Sequence, residues 1–245
     1  MALGSGDVLL YESNDAGSKG GGISATTITS AVANNLIDDI TNSQRVAGGT
    51  VYFKTFFKNN SGTDSALTPV IYAPVLPTNM TLSLGLGFDS ASDNDSAQGN
   101  MSGFAADNVA GLVSDGTDTR TVTIYGLDDS GTPVPTTENV VLTSASEVLS
   151  STTWSAIWGF YVDNTDGSRT VTLKEGSGGT TRGTIGPNKK AAWLWVVGPS
   201  TKSGGILLPN LAAGANYGVW MRLVWTASVG SVRPNTMTLQ LEENS

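Results

Sequence analysis

The chain contains no cysteine and no histidine. Without cysteine there is no disulfide framework and no thiolate metal site. Without histidine the usual general base is gone, and with it the Ser-His and Cys-His nucleophile pairs and most zinc sites. Charged residues are sparse, at 14%, which argues against a solvated disordered tail. The charge present leans acidic, −8 at pH 7, so the surface repels phosphate and no direct nucleic-acid partner is expected. The best basic patch, Lys189-Lys190, reads as solvated charge. No stretch approaches the ~20 apolar residues that span a bilayer, so no membrane partner is expected either. The start, Met1-Ala2-Leu3-Gly4-Ser5-Gly6, lacks the basic residues and apolar run of a signal peptide, which points to a chain made and assembled in a cytoplasm.

What is present reads as β-structure. The 245 residues are enough for one large β-domain or two smaller ones, and the 30 glycines fit many short strands joined by tight turns. Alternation predicts strands at Val51–Lys58, Pro69–Leu76, Met80–Leu86, Thr121–Leu127, Glu138–Leu142, Trp154–Val162, Arg169–Glu175, Thr180–Ile185, Ala191–Val197, Val219–Ala227 and Met237–Leu241. Pro69, Pro74 and Pro77 would each remove a ladder hydrogen bond, so Val70–Leu76 is expected at an edge or near bulges. Trp154, Ala156, Trp158, Phe160 and Val162 are expected on one buried face. Residues 89–119 read as a long connection with one short apolar segment at Val109–Val113.

Residues 1–45 read as an N-terminal arm with one short helix. Val8, Leu9, Leu10 and Tyr11 form an apolar cluster, the glycines of 17–22 form a hinge, and Ile28, Val32, Leu36, Ile37 and Ile40 follow at helical spacing. The arm either caps its own sandwich or docks on a neighbouring subunit; Val8, Leu9, Leu10, Tyr11, Leu36, Ile37 and Ile40 are the candidate assembly residues. Pro77–Leu84 echoes Pro234–Leu241, which suggests equivalent strands in one domain. The expected fold is therefore all-β: an antiparallel β-sandwich, jelly-roll or immunoglobulin-like. It would be built discontinuously from 46–100 and 187–245, with a second β-module, 101–186, inserted.

Catalytic signatures are lacking. Asp93-Asn94-Asp95 and Asp115-Gly116-Thr117-Asp118 could offer oxygens to calcium, but neither continues into a twelve-residue EF-hand loop. Asp128-Asp129 and Asp38-Asp39 are adjacent, and adjacent side chains in a strand point to opposite faces, so neither makes a glycosidase pair. We expect no catalytic residue, no metal and no cofactor. Six tryptophans, Trp154, Trp158, Trp193, Trp195, Trp220 and Trp225, lie in expected strands and read as core or subunit interface before they read as a sugar-stacking row.

Two regions resemble virion proteins of tailed bacteriophages. One runs Gly21-Gly22-Ile23-Ser24-Ala25-Thr26, then Asn34-Asn35-Leu36-Ile37-Asp38-Asp39, then Gly48-Gly49-Thr50-Val51-Tyr52-Phe53-Lys54. The other runs Leu211-Ala212-Ala213-Gly214-Ala215-Asn216-Tyr217-Gly218-Val219-Trp220-Met221-Arg222 and closes on Asn235-Thr236-Met237-Thr238-Leu239. Val122–Gly131, with Glu138 and Val140, also resembles the immunoglobulin-like modules of phage structural proteins. The resemblance covers about half the chain and implies a late, particle-associated, non-enzymatic protein located in the virion. A capsid decoration (cement) protein on the assembled head is the first expectation. A tail- or neck-associated structural or glycan-binding receptor-recognition module is the alternative. The implied partners are the major capsid protein or other virion subunits and further copies of the chain, a homo-oligomer with a trimer first. No functional residue is carried over.

Overall fold

The computed structural model describes residues 7–15, 20–29, 40–87, 98–131, 134–230 and 237–243. The chain is all-β, with 55% strand and 5% helix. It divides into two compact units: Met1–Asn94 with Trp195–Ser245, and Asp95–Leu194. The sequence placed the inserted segment at 101–186, so the strand at Ala191–Trp193 falls in the second unit and not the first.

The first unit contains β1 (Val8–Asp15), β2 (Gly20–Thr27), β3 (Gly49–Asn59), β4 (Pro69–Val75) and β5 (Thr81–Gly87). The second contains β6 (Asn108–Ser114), β7 (Thr121–Asp128), β8 (Pro135–Val141), β9 (Val148–Val162), β10 (Val171–Glu175), β11 (Thr181–Ile185) and β12 (Ala191–Trp193). The chain then returns to the first unit with β13 (Val196–Val197), β14 (Ile206–Leu207), β15 (Asn216–Trp225) and β16 (Thr238–Glu243).

In the first unit a six-stranded sheet runs β13-β5-β15-β3-β1-β2, and a three-stranded sheet runs β14-β4-β16. All the pairings within these sheets are antiparallel. The β3–β15 ladder keeps ten consecutive pairs, from Asn216 opposite Lys58 to Trp225 opposite Gly49, without a slip. Alternation puts Val219, Met221, Leu223 and Trp225 on one buried face, as the sequence pattern requires. The opposite face is also buried at its centre, where Lys54, Phe56 and Trp220 are all 2% exposed or less. Lys54 fits because glycine faces it from two other strands. A Cβ on Gly87 or Gly218 would come within 2.9 Å of the Lys54 Cε, so the lysine stem lies in a trough that only glycine leaves open. Its Nζ donates to the Gly21 carbonyl at 2.7 Å and sits 4.8 Å from the Phe56 ring centroid, tying β2 to β3.

Three expectations meet the structure here. Where described, residues 8–27 are two strands of this sheet, with β1 paired to β3 from Val8–Asn59 to Glu12–Thr55. The apolar cluster of the supposed arm found its partner within its own chain. The expected helix at 28–40 lies largely outside the described residues; the helix observed is α1 (Asn42–Ala47), closed by a capping box between Thr41 and Gln44. Finally, β4 is the central strand of its sheet, so of the two expected placements, at an edge or near bulges, the second is the one that holds. Pro69 takes the first position, and the register slips opposite Pro74, between Thr238 and Gln240 of β16.

In the second unit a seven-stranded sheet has the order β11-β10-β6-β9-β7-β8, with β12 also paired to β9. Residues from β6 to β12 all contribute to one core, including Leu112, Ile124, Val140, Trp154, Phe160, Leu173, Ile185 and Ala192. The sheet therefore curls around a single interior. β6 belongs to the middle of this sheet, although its five apolar residues read as a minor segment of a loop. The bend comes from β9. Its pairing with β7 slips twice, between Tyr125 and Gly126 and between Leu127 and Asp128. Each slip inserts one residue and turns the following side chains over. The core residues of β9 are thus Trp154, Ile157, Phe160 and Val162, while Ala156 and Trp158, expected on the same face, are not among them. Gly126 makes room for the bend, since a Cβ there would lie 2.2 Å from the Ala156 carbonyl oxygen and 2.8 Å from the Trp154 ring.

Candidate functional site

Of the candidate assembly residues, five are described: four lie in β1 and one directly before the cap of α1. Val8, Leu10 and Tyr11 are half-buried in β1, and Leu9 is 39% exposed. Tyr11 is held where it is: its hydroxyl donates to Asn60 Oδ1 at 3.2 Å, and the Lys58 ammonium lies 5.6 Å from its ring centroid. The Leu10 carbonyl accepts from the Ile28 amide at 2.8 Å. Ile40 is half-buried, directly before the Thr41 cap. Leu36 and Ile37 lie outside the described residues.

The acidic residues of the second unit tie loops to strands. Asp118 is 6% exposed and accepts from the Arg120 amide, Nε and Nη2 at 3.0, 3.0 and 2.6 Å. The hydrogen bonds from Arg120 hold its carboxyl down at about 2. Asp115 accepts from the Thr170 amide at 3.1 Å, so Asp115 and Asp118, once candidate calcium ligands, each already hold backbone. Glu138 accepts from the Ser151 and Thr152 amides at 2.6 and 2.9 Å, joining β8 to β9. Glu147 accepts from the Gly178 amide at 2.8 Å and pairs with Lys174. Glu175 accepts from Asn108 Nδ2 and pairs with Arg182.

The adjacent pair Asp128-Asp129 divides. Asp128 accepts from the Val134 amide at 2.9 Å and from the Ser130 hydroxyl at 3.0 Å, and the Val134 hydrogen bond leads in holding its carboxyl below the usual range. Asp129 is pushed up by a hydrogen bond with the Asp107 carboxyl. Two carboxyls in hydrogen-bond contact are far closer than the ~5 Å that a glycoside-cleaving pair requires. Among the described residues no group of three or more acidic side chains is placed to hold a metal ion. Asp93, Asp95, Asp38 and Asp39 lie outside them.

These loop ties were missed at sequence level, although Glu138 carried a signal. It shares strand parity with the inward-facing Val140, and a glutamate at an inward position needs donors. The aromatic residues separate in the same way. Trp154, Trp193 and Trp220 are fully buried and Trp225 is 6% exposed, so four of the six belong to the interior. Trp158 and Trp195 are half-buried. Trp195 has polar company: the Arg222 guanidinium lies 4.9 Å from its ring centroid, Tyr52 lies 6.1 Å away, and Arg222 Nη2 donates to Ser83 Oγ at 3.0 Å.

Comparison with protein-family models, with curated proteins and with solved structures finds no match to this chain.

Proposed function

We propose that this chain is a non-enzymatic structural subunit of a tailed-bacteriophage virion, in the first instance a homo-oligomeric decoration protein on the outside of the head. The observation that supports this most is the use of the carboxylates. Glu138, Glu147, Glu175, Asp115 and Asp118 each accept from backbone amides or side-chain donors that hold loops and strands in place. A β-unit tied in this way resists fraying at its loops, which suits a protein whose work is to present a stable surface. The sequence patterns at 21–54 and 211–239 supply the virion setting. The mechanism is linkage: a subunit that binds the assembled shell and not its free components stabilises the shell by mass action.

The test is a density map of the intact particle together with copy number. Hundreds of copies at lattice junctions are expected; a handful at one vertex would overturn the head assignment. A tail-associated glycan-binding module is the second reading, supported by the contact of the half-buried Tyr52, Trp195 and Arg222. For that reading, Trp195→Ala would abolish binding to host-cell glycans and leave attachment to the particle intact.

A further inference from the structure

The sheet edges of the molecule are unequally protected. β11 is an edge strand, but the segment before β6 occupies its outer side: Asn100 Nδ2 donates to the Thr184 carbonyl, the Thr184 amide donates to Asn100 Oδ1, and the Ser102 amide donates to the Arg182 carbonyl. β16 carries Glu242 and Glu243, and the Lys202 ammonium donates to the Glu243 carbonyl. β13 is two residues long, and β2 pairs with β1 through two register slips. Charge, cover, brevity and bulges are the usual means by which an edge is kept from pairing with another chain.

Over Thr137–Val141, β8 has no bulge, no cover among the described residues and no charge at its outward-bonding positions. Its ladder to β7 pairs residues whose numbers sum to 262, and the flanking bonds Asp128 N to Val134 O and Leu142 N to Arg120 O belong to the same ladder. The even-numbered residues 136, 138 and 140 therefore bond to β7, and Thr137, Asn139 and Val141 turn their amides and carbonyls outward. Among the described residues no backbone or side-chain group reaches those outward groups. All three side chains are exposed, Val141 by 55%, and Val134 just before the strand by 45%. The one charge in the strand, Glu138, is turned in and held by Ser151 and Thr152.

We propose that the outer edge of β8 is a homotypic contact, filled by β8 of a second copy running antiparallel about a two-fold axis at Asn139. The edge is self-complementary. Centred on Asn139, Thr137 faces Val141 of the second copy, Asn139 faces Asn139, and the three outward residues of each strand close six backbone hydrogen bonds. The ladder ends where the sequence ends it: Pro135 has no amide to extend it on one side, and the turn closed by Thr143 and Ser146 stops it on the other. On a chain of net charge −8, approach of a like copy is opposed almost everywhere. Here the outward side chains are uncharged and the nearest carboxylate is turned away. The contact is isologous and closes a dimer, so the trimer anticipated from the sequence is not made through this edge. The inference concerns the free protein and stands apart from the particle reading.

The chain's lack of cysteine supplies the experiment. At the two-fold, Asn139→Cys places two thiols in a hydrogen-bonded antiparallel pair, with Cα atoms ~5.5 Å apart, within disulfide range. Under mild oxidation N139C is expected to yield disulfide-linked dimer about tenfold faster than Thr180→Cys, an exposed thiol at the other edge, because the strands hold the sulfurs together. Thr137→Lys with Val141→Lys, which sets lysines against lysines, is expected to abolish concentration-dependent sedimentation. In the unaltered protein the amides of Thr137, Asn139 and Val141 should exchange more slowly as concentration rises, a readout independent of any variant. Equal crosslinking of the two cysteine variants would overturn the proposal, as would exchange at these amides that ignores concentration. Protection appearing only when particles are added would assign the edge to a different partner and overturn the second-copy occupant.

Discussion

The first unit is organised around a buried cation and one long, unslipped ladder, whereas the second is organised around a bent strand and a set of carboxylates. β3 and β15 run ten pairs in register, and Lys54 lies beneath them with its ammonium on the Gly21 carbonyl. β9 slips twice against β7, and the loops that the bend leaves behind are taken up by Asp118, Glu138, Glu147 and Glu175. A straight ladder satisfies its own backbone, so its special residue is the one that fastens a neighbouring strand. A bent sheet leaves amides at its slips and loops without ladder partners, and side-chain acceptors must meet them. The difference predicts that the units respond to different insults.

The largest effect is expected at the bend. Trp154 is fully buried beside Gly126, with its Nε1 donating to Ser150 Oγ at 3.1 Å. Trp154→Ala leaves a ring-sized cavity in the core of the second unit and should cost about 3–5 kcal/mol in urea unfolding. If amides of β3 and β15 lost protection before those of β7, the comparison between the units would fail.

Next comes the cation. Lys54→Met keeps the stem in its glycine trough but removes the bond to Gly21, and a hydrogen bond from a charged donor is worth about 2 kcal/mol. Hydrogen exchange should quicken at Gly20–Gly22 and not at the loops of the second unit. Unchanged exchange in β2 would show that Lys54 does not fasten it.

Acid should act on the second unit. The Asp118 carboxyl sits at about 2 in the folded chain and near 3.8 when unfolded, so its contribution is complete above pH ~4 and is lost as pH falls from there toward 2. The loss amounts to about 2 kcal/mol. Asp118→Asn should lower stability at pH 7 and flatten the decline between pH 4 and 2. A variant whose acid profile parallels the parent would separate the low value from stability.

These contrasts were unevenly legible in the sequence. The face of Val219, Met221, Leu223 and Trp225 could be read directly, because an unslipped strand keeps its period. The face of β9 could not, because an inserted residue at a bulge depends on what the partner strand does. The burial of Lys54 was not legible, because it depends on Gly87 and Gly218, which are brought beside it by pairing far along the chain. Val8–Tyr11 was legible as apolar surface in need of a partner, but the partner, β3, is a long-range choice that local spacing does not encode. The loop carboxylates were hidden for the same reason, Glu138 excepted, since strand parity marked it as inward.

The smallest effect sharpens the comparison from the alkaline side and falls on the first unit. Tyr217 is the second residue of the β15 ladder, opposite Phe57, and its hydroxyl donates to the Pro209 carbonyl at 2.7 Å, fastening the loop before β15. Burial pushes this phenol up to about 12, because the phenolate would lose its water. A group whose folded value is raised contributes fully below its unfolded value, near 10, and that contribution is lost as pH climbs from 10 toward 12. The unaltered first unit should therefore loosen in that window, first at residues 209–216. Tyr217→Phe keeps the ring and loses the hydroxyl, which should cost about 1 kcal/mol at pH 7 and remove this residue's share of the alkaline decline. Acid would then act through Asp118 in one unit and base through Tyr217 in the other. Exchange measured at pH 3 and at pH 11 would break the comparison if both extremes opened the same strands.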